Sequence, residues 1–199
     1  MLLSDGSVRR PKALREAGIR PQAIADALRA GQVAKTQDGA YFVPGAEPRR
    51  DLVDLAGACT RMPRAVVCLL SAAHLAGLVD EAPPKLWLAL PQGVHATTVG
   101  DTPRQVLRWS YNGAFEVGIV EDEVCGVTIR RTDAVRTVVD LLRYSKHVGG
   151  IGSGIRAARR YVANGGRATD FLVVAETLQV PSSTMRDLQV AAAAIGGGE

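Results

Sequence analysis

Residues 10–43 read RPKALREAGIRPQAIADALRAGQVAKTQDGAYFV, and their prolines and glycines fall where short elements begin and end. Arg10–Ala17 predicts a short helix with Pro11 in its first turn, where a missing N–H costs nothing. Gly18 follows as a natural residue just past the helix end, because it tolerates positive φ. A second helix starts at Arg20-Pro21 and runs to Ala30, with Gly31 closing it. Helical spacing puts Ile24, Ala27 and Leu28 on its inner face, with Ile19 buried just ahead of it. Two short helices joined by a tight glycine-containing turn form a helix-turn-helix unit. Val33–Gln37 and Ala40–Val43 then flank Asp38-Gly39, a strong hairpin signal. A hairpin directly after the second helix is a wing. This order is more specific than any one of its pieces, and residues 1–45 are read as a winged helix-turn-helix DNA-binding domain.

Pro44–Arg50 (PGAEPRR) reads as a linker, and the pattern changes beyond it. Asp51–Met62 is an amphipathic helix with Leu52, Leu55, Ala56 and Cys59 inward. Ala65–Leu69 reads as a buried strand and Ser71–Gly77 as a short helix. Lys85–Leu90, Arg104–Trp109, Phe115–Val120 and Val127–Arg131 read as strands, the last two joined across Glu121–Gly126. From Asp133 onward the chain reads as helices over 133–146, 151–164, 168–179 and 182–194, with a frayed tail at Gly196–Glu199. The class is α+β: the winged helix, then a mixed α/β domain over residues 50–199 with a helical C-terminal end.

The 199 residues suffice to bury a core without disulfides or metals. The longest apolar runs, Ala65–Leu70 and Leu86–Leu90, are far too short for a membrane span, and no secretory signal opens the chain. Cys59, Cys68 and Cys125 are odd in number and lack Cys-x-x-Cys spacing, which points to a reducing, cytoplasmic home. Net charge is +4 overall but unevenly spread: +4 over residues 1–50, −3 over 51–135 and +3 over 136–199. A basic N-terminal module is the electrostatic footprint of a nucleic-acid binder.

The stretch LREAGIRPQAIADALRAGQVAKTQDGAYFVPG resembles the winged helix of AbiEi-type antitoxins of type IV toxin–antitoxin systems. LLSAAHLAGL followed by PPKLWLALP is similar to that family's helix-then-strand signature, and VTIRRTDAVRTVVDLLRYSKHVG to its segment before a long helix. The resemblance runs from about Val8 to Val190, and the order of its degenerate motifs is what makes it specific. It implies a DNA-binding transcriptional autorepressor whose functional partner is a nucleotidyltransferase toxin, opposed without a stable complex. Residues 50–199 would then be the antitoxin domain. The family has a full helix ahead of the helix-turn-helix where this sequence has only Met1–Gly6. The winged helix is therefore read as trimmed, or as borrowing packing from the C-terminal domain.

DNA contacts are expected from residues off the apolar face of the second helix. Arg20 and Gln22, at its N-terminal end, are placed to read base edges, since Arg suits guanine and Gln suits adenine. Arg9, Arg10, Lys12, Arg29, Lys35 and Gln37 complete the set, mainly as phosphate contacts on duplex DNA, expected at an inverted repeat in the protein's own promoter. Asp26 on the same face would repel phosphate and is expected to pair with Arg29 or Gln22. Arg156, Arg159 and Arg160 share one side of a helix after the glycine-rich Gly149–Gly154. With Arg167 they form a candidate second phosphate or partner contact.

Catalysis finds little support, and no enzyme activity, metal or cofactor is expected. His74, His95 and His147 lie far apart, and Ser71 with His74 on one helix reads as structural. Asp80-Glu81 with Lys85 lacks nuclease strand spacing, and Glu121-Asp122-Glu123 reads as an exposed acidic hairpin turn. Trp87, Trp109 and Tyr111 read as core and strand residues. A second functional class stays open: an interaction module whose degenerate winged helix no longer binds DNA.

Overall fold

The computed structural model describes residues 6–45, 50–96 and 100–196. It mixes eight α-helices with a two-stranded and a five-stranded sheet among those residues. The chain forms two compact units whose borders differ from a simple cut near residue 50. The first comprises 1–65, 95–103 and 121–129, and the second 66–94, 104–120 and 130–199. Most of the linker (46–49), the N-terminal segment 1–5 and the tail 197–199 lie outside the described residues, while Arg50 already opens a helix. Among the described residues no helix is long and apolar enough to cross a membrane.

The first unit is built from α1 (Pro11–Glu16), α2 (Pro21–Arg29), β1 (Ala34–Lys35), β2 (Tyr41–Phe42) and α3 (Arg50–Arg61). Both glycine stops act as read. After α1, Gly18 at φ +81 donates to the Arg15 carbonyl and Ile19 to that of Leu14. After α2, Gly31 at φ +68 donates to Leu28 and Gln32 to Ala27. These paired bonds are the Schellman closure, which satisfies the last carbonyls of a helix. An added Cβ at either glycine meets nothing within 4 Å. Gly18→Ala or Gly31→Ala is therefore expected to cost about 1–2 kcal/mol through the left-handed backbone alone. Urea unfolding of each variant checks it, and a neutral change would show that the glycines are not needed.

Leu14 and Val33 are buried together, with Ile19, Ile24, Ala27, Leu28, Tyr41 and Val43 packed on them. The hairpin pairs Ala34 with Phe42 and Lys35 with Tyr41, antiparallel. Its loop is closed by Gly39 N–H to the Thr36 carbonyl (2.9 Å) and Thr36 N–H to Ala40 (2.8 Å), with Gly39 at φ +78. Arg9 adds a third, single-residue rung, exchanging both backbone bonds with Tyr41 at 2.9 and 2.7 Å. On α3, Val53, Leu55, Ala56 and Cys59 are buried, whereas Leu52 is only half-buried. The helix meets the hairpin loop where Gly57 passes beneath Thr36: a Cβ there would lie 2.8 Å from its Oγ1. Arg61 Nε also donates to the Asp38 carbonyl at 2.6 Å. Packing on this small module thus comes from a helix later in the chain.

The five-stranded sheet runs β5 (Arg104–Trp109), β4 (Leu86–Pro91), β3 (Val66–Val67), β7 (Val127–Thr132), β6 (Ile119–Val124). It is mixed: β4 runs parallel to β5, β3 parallel to β7, and β3 antiparallel to β4. The helices of the second unit are α4 (Leu69–Leu75), α5 (Ala134–Arg143), α6 (Gly152–Ala163), α7 (Asp170–Thr177) and α8 (Ser182–Gly196). Helix α5 packs against α4, α6, α7 and α8. Its residues 136–142 are buried on every side, as expected of a helix at the centre of its unit. Small residues set the approach of α6: Ala157 and Ala158 are buried, and a Cβ on Gly154 would strike Leu142 at 2.7 Å.

Two sequence expectations are corrected here. Phe115–Val120 is not a strand, and Glu121–Glu123 is not a turn. Residues 111–118 form turns whose carbonyls are taken by arginines, Phe115 by Arg130 (2.6 Å) and Val117 by Arg136 (2.6 Å). Strand β6 begins only at Ile119 and includes the acidic triplet. Its tight connection to β7 is Cys125-Gly126, both at positive φ (+48 and +67). A two-residue turn of this kind suits the twist of a hairpin.

Candidate nucleic-acid interface

In the first unit, α2 carries no fully buried residue, and Arg20, Gln22, Ala23, Asp26 and Arg29 are exposed. Asp26 organises this surface. Its Oδ1 accepts from Gln22 Nε2 at 2.9 Å, four residues back, and from Arg29 Nη2, three residues on. The carboxylate thus pairs with the two residues foreseen for it. Arg20 is the N-cap of α2 and makes no side-chain cap bond. Its side chain has no hydrogen bond or ion pair among the described residues, and neither does that of Lys35. Both project from exposed positions.

Other cations are tied down by main chain that no local pattern reveals. Arg9 Nη1 donates to the Gly126 carbonyl at 2.8 Å, and Arg10 Nη1 to that of Thr60 at 3.0 Å. Arg9, Arg10 and Lys12 line a cavity of about 290 Å³ with Thr60 and Gly126. Lys12 pairs with Glu16 at 3.6 Å, both side chains well exposed, a contact worth little in water. Gln37 sits in the hairpin loop, exposed, its carbonyl accepting from Asp101 N–H at 3.3 Å. The structure therefore leaves Arg20 and Lys35 uncommitted, ties Gln22 and Arg29 to Asp26, and gives Arg9 and Arg10 anchoring bonds.

In the second unit, Arg156, Arg159 and Arg160 lie together on the exposed side of α6, whereas Arg167 sits beyond the helix. Arg167 pairs with Asp170 at 3.4 Å, and Tyr161 donates its hydroxyl to the same carboxylate at 2.8 Å. The glycine-rich stretch before α6 has a structural use: Gly149 and Gly150 turn the chain at φ +81 and +107, and Gly154 packs on Leu142. Ser71 Oγ accepts from the Trp87 amide at 2.9 Å, a structural role as read.

The greatest concentration of perturbed ionisable groups was not read as such. Arg136 and Asp140 form a wholly buried ion pair at 2.9 Å on α5. The same guanidinium donates to Val117 O and Tyr111 Oη, both at 2.6 Å, and lies 4.9 Å from the Trp109 ring centre. Burial opposes the Arg136 cation, but Asp140 and Tyr111 outweigh it and raise its pKa. Burial likewise pushes the Asp140 carboxyl upward against the pull of Arg136. The signal was present in the sequence, as opposite charges four apart among the apolar residues of this helix.

Burial, aided by Asp140, raises the Tyr111 hydroxyl, and burial raises Tyr144. Tyr161 is pushed up to about 12 by burial and its bond to Asp170. A phenol raised in the folded state keeps a proton that the unfolded chain loses near pH 10. Its stabilisation is complete below about pH 10 and is lost as pH rises from there toward 12. The buried Cys68 thiol, also raised by burial, starts a decline in urea midpoints from about pH 8.5, and the phenols should steepen it across this window. A flat profile would contradict the burial of these hydroxyls.

No family model matches the chain, and no curated protein matches it. Among solved structures it is similar to the RV2827C protein from Mycobacterium tuberculosis, with a TM-score of 0.65 and 16% identity. The match covers 97% of this chain and 73% of that one, and it shows the fold.

Proposed function

We propose that the protein is a DNA-binding transcriptional autorepressor whose first unit acts as a winged helix-turn-helix. The observation that carries this reading is the arrangement of residues 9–43. Two short helices meet at a glycine turn, a hairpin follows directly, and Arg9 adds a third rung beside Tyr41. In such a unit the second helix enters the major groove by its N-terminal end. That end of α2 carries the uncommitted, exposed Arg20, and the hairpin carries the exposed Lys35. The sequence resemblance to AbiEi-type antitoxins supports a further step: the protein opposes a nucleotidyltransferase toxin without binding it stably.

Arg20→Ala should reduce the preference for the operator by about 1–3 kcal/mol, as loss of a bidentate base contact does. Lys35→Ala should weaken operator and unrelated DNA alike. Fluorescence anisotropy with both DNAs separates the two, and equal weakening by Arg20→Ala would remove Arg20 from base readout. Because residues 50–65, 95–103 and 121–129 belong to the first unit, a cut at residue 50 would divide that unit between the two pieces. Neutralisation is therefore tested in the full chain. Arg20→Ala should lose repression and keep rescue of growth beside the cognate toxin, and joint loss would show that rescue runs through DNA.

A further inference from the structure

Within the second unit, α6 faces the loop Leu78–Pro84 across a groove of about 700 Å³. One wall is cationic. The Arg156 side chain donates only to the neutral Ser153 hydroxyl (3.2 Å), and the Arg159 side chain makes no hydrogen bond or ion pair among the described residues. Arg160 pairs with Asp80 Oδ1 at 2.9 Å, with 51% and 80% of the two side chains exposed. The facing wall carries Asp80 and Glu81, both exposed. Between them lie Leu70, Leu78, Val79, Pro83 and Pro84, an apolar floor.

This pattern selects its ligand. Three arginines against two carboxylates leave little net charge, which gives a long polyanion little reason to lie here, since nucleic-acid affinity grows with phosphates neutralised. A small molecule with separate anionic, apolar and donor parts matches all three zones. Two arginines without a carboxylate partner suit a phosphate, which the guanidinium fork binds in charge-assisted bonds. Carboxylates are acceptors for ribose hydroxyls or base amino groups. A flat base fits the apolar floor. The volume lies within the range of small-molecule sites.

We propose that this groove binds a ribonucleoside phosphate, with the phosphate on Arg156 and Arg159 and the sugar or base edge on Asp80 and Glu81. The site stands independently of DNA binding by the first unit. A free nucleotide and the last nucleotide of an RNA strand share this chemistry, and the test separates them.

Calorimetry on the full-length protein would use AMP, GMP, CMP and UMP, their 2′-deoxy analogues, inorganic phosphate and a short single-stranded RNA. At least one ribonucleotide should bind at a single site, and Arg159→Ala should weaken it about tenfold or more, the scale of one charge-assisted bond. Glu81→Gln should weaken the ribonucleotide while leaving Arg159-dependent phosphate binding in place. Both side chains are exposed, so melting temperatures should match the parent and folding does not confuse the result. A mononucleotide binding as tightly as the RNA assigns the site to free nucleotide, and tighter Arg159-dependent binding of RNA assigns it to a strand end. No saturation by any ribonucleotide at millimolar concentration overturns the proposal. So does inorganic phosphate binding as tightly as the nucleotides, or binding indifferent to Arg159→Ala.

Discussion

Arg136→Ala is expected to cost about 3–5 kcal/mol of folding stability, the range for removing one partner of a buried ion pair. The loss exceeds that of a single bond because the guanidinium serves several groups. It neutralises Asp140 at 2.9 Å, donates to the carbonyl of Val117, meets the hydroxyl of Tyr111, and stacks by Trp109. Without it a carboxylate stays buried with no countercharge, and residues 111–118 lose the donor that holds their turns. Asp140→Ala should cost a similar amount by stranding the cation. Replacing both at once, Arg136→Met with Asp140→Leu, should recover much of the loss, since apolar pairs of similar volume avoid the desolvation cost. Urea unfolding of the three variants measures this. A single-variant cost below about 1 kcal/mol would mean the pair contributes no more than a surface contact does.

The second large effect is local. Leu14→Ala should cost about 2–5 kcal/mol, the range for emptying a buried leucine site. Leu14 is 2% exposed, and Ile19, Ile24, Ala27 and Leu28 pack on it and Val33. Helices of six and nine residues do not persist alone in water, so α1 and α2 depend on this packing. Hydrogen exchange should lose protection over residues 10–43 while α5 keeps its own, and DNA affinity should fall with it. Unchanged DNA affinity alongside lost protection would show that the proposed DNA binding does not reside in residues 10–43.

What was legible in the sequence was local. Gly18 and Gly31 stop their helices by the bonds their types require, and Ile24, Ala27 and Leu28 face inward as spaced. Strand β5 lies over the residues read for it, Arg104–Trp109. The errors came where distant groups decide. Phe115–Gly118 is apolar enough to read as a strand, but Arg130 and Arg136 capture its carbonyls from other elements. Gly118 must be glycine because a Cβ there would sit 2.6 Å from that of Arg136. Arg9 and Arg10 look like surface cations, yet their acceptors lie 117 and 50 residues away. The Asp26 pairing was legible because its partners stand three and four residues off on one helix. The groove beside α6 was half legible. Its arginine stripe follows from spacing, but the facing carboxylates come from a loop about 80 residues earlier in the chain, as the Asp80–Arg160 pair shows.

The central claim is that the first unit reads DNA sequence. The most direct test measures the affinity of the full-length protein for the duplex upstream of its own gene and for a shuffled duplex of equal length, across about 50–200 mM salt. Affinity for both should fall as salt rises, because phosphate contacts release counterions, and the upstream duplex should bind at least about 10³-fold tighter throughout. Equal affinity for the two duplexes at every salt concentration would contradict the account.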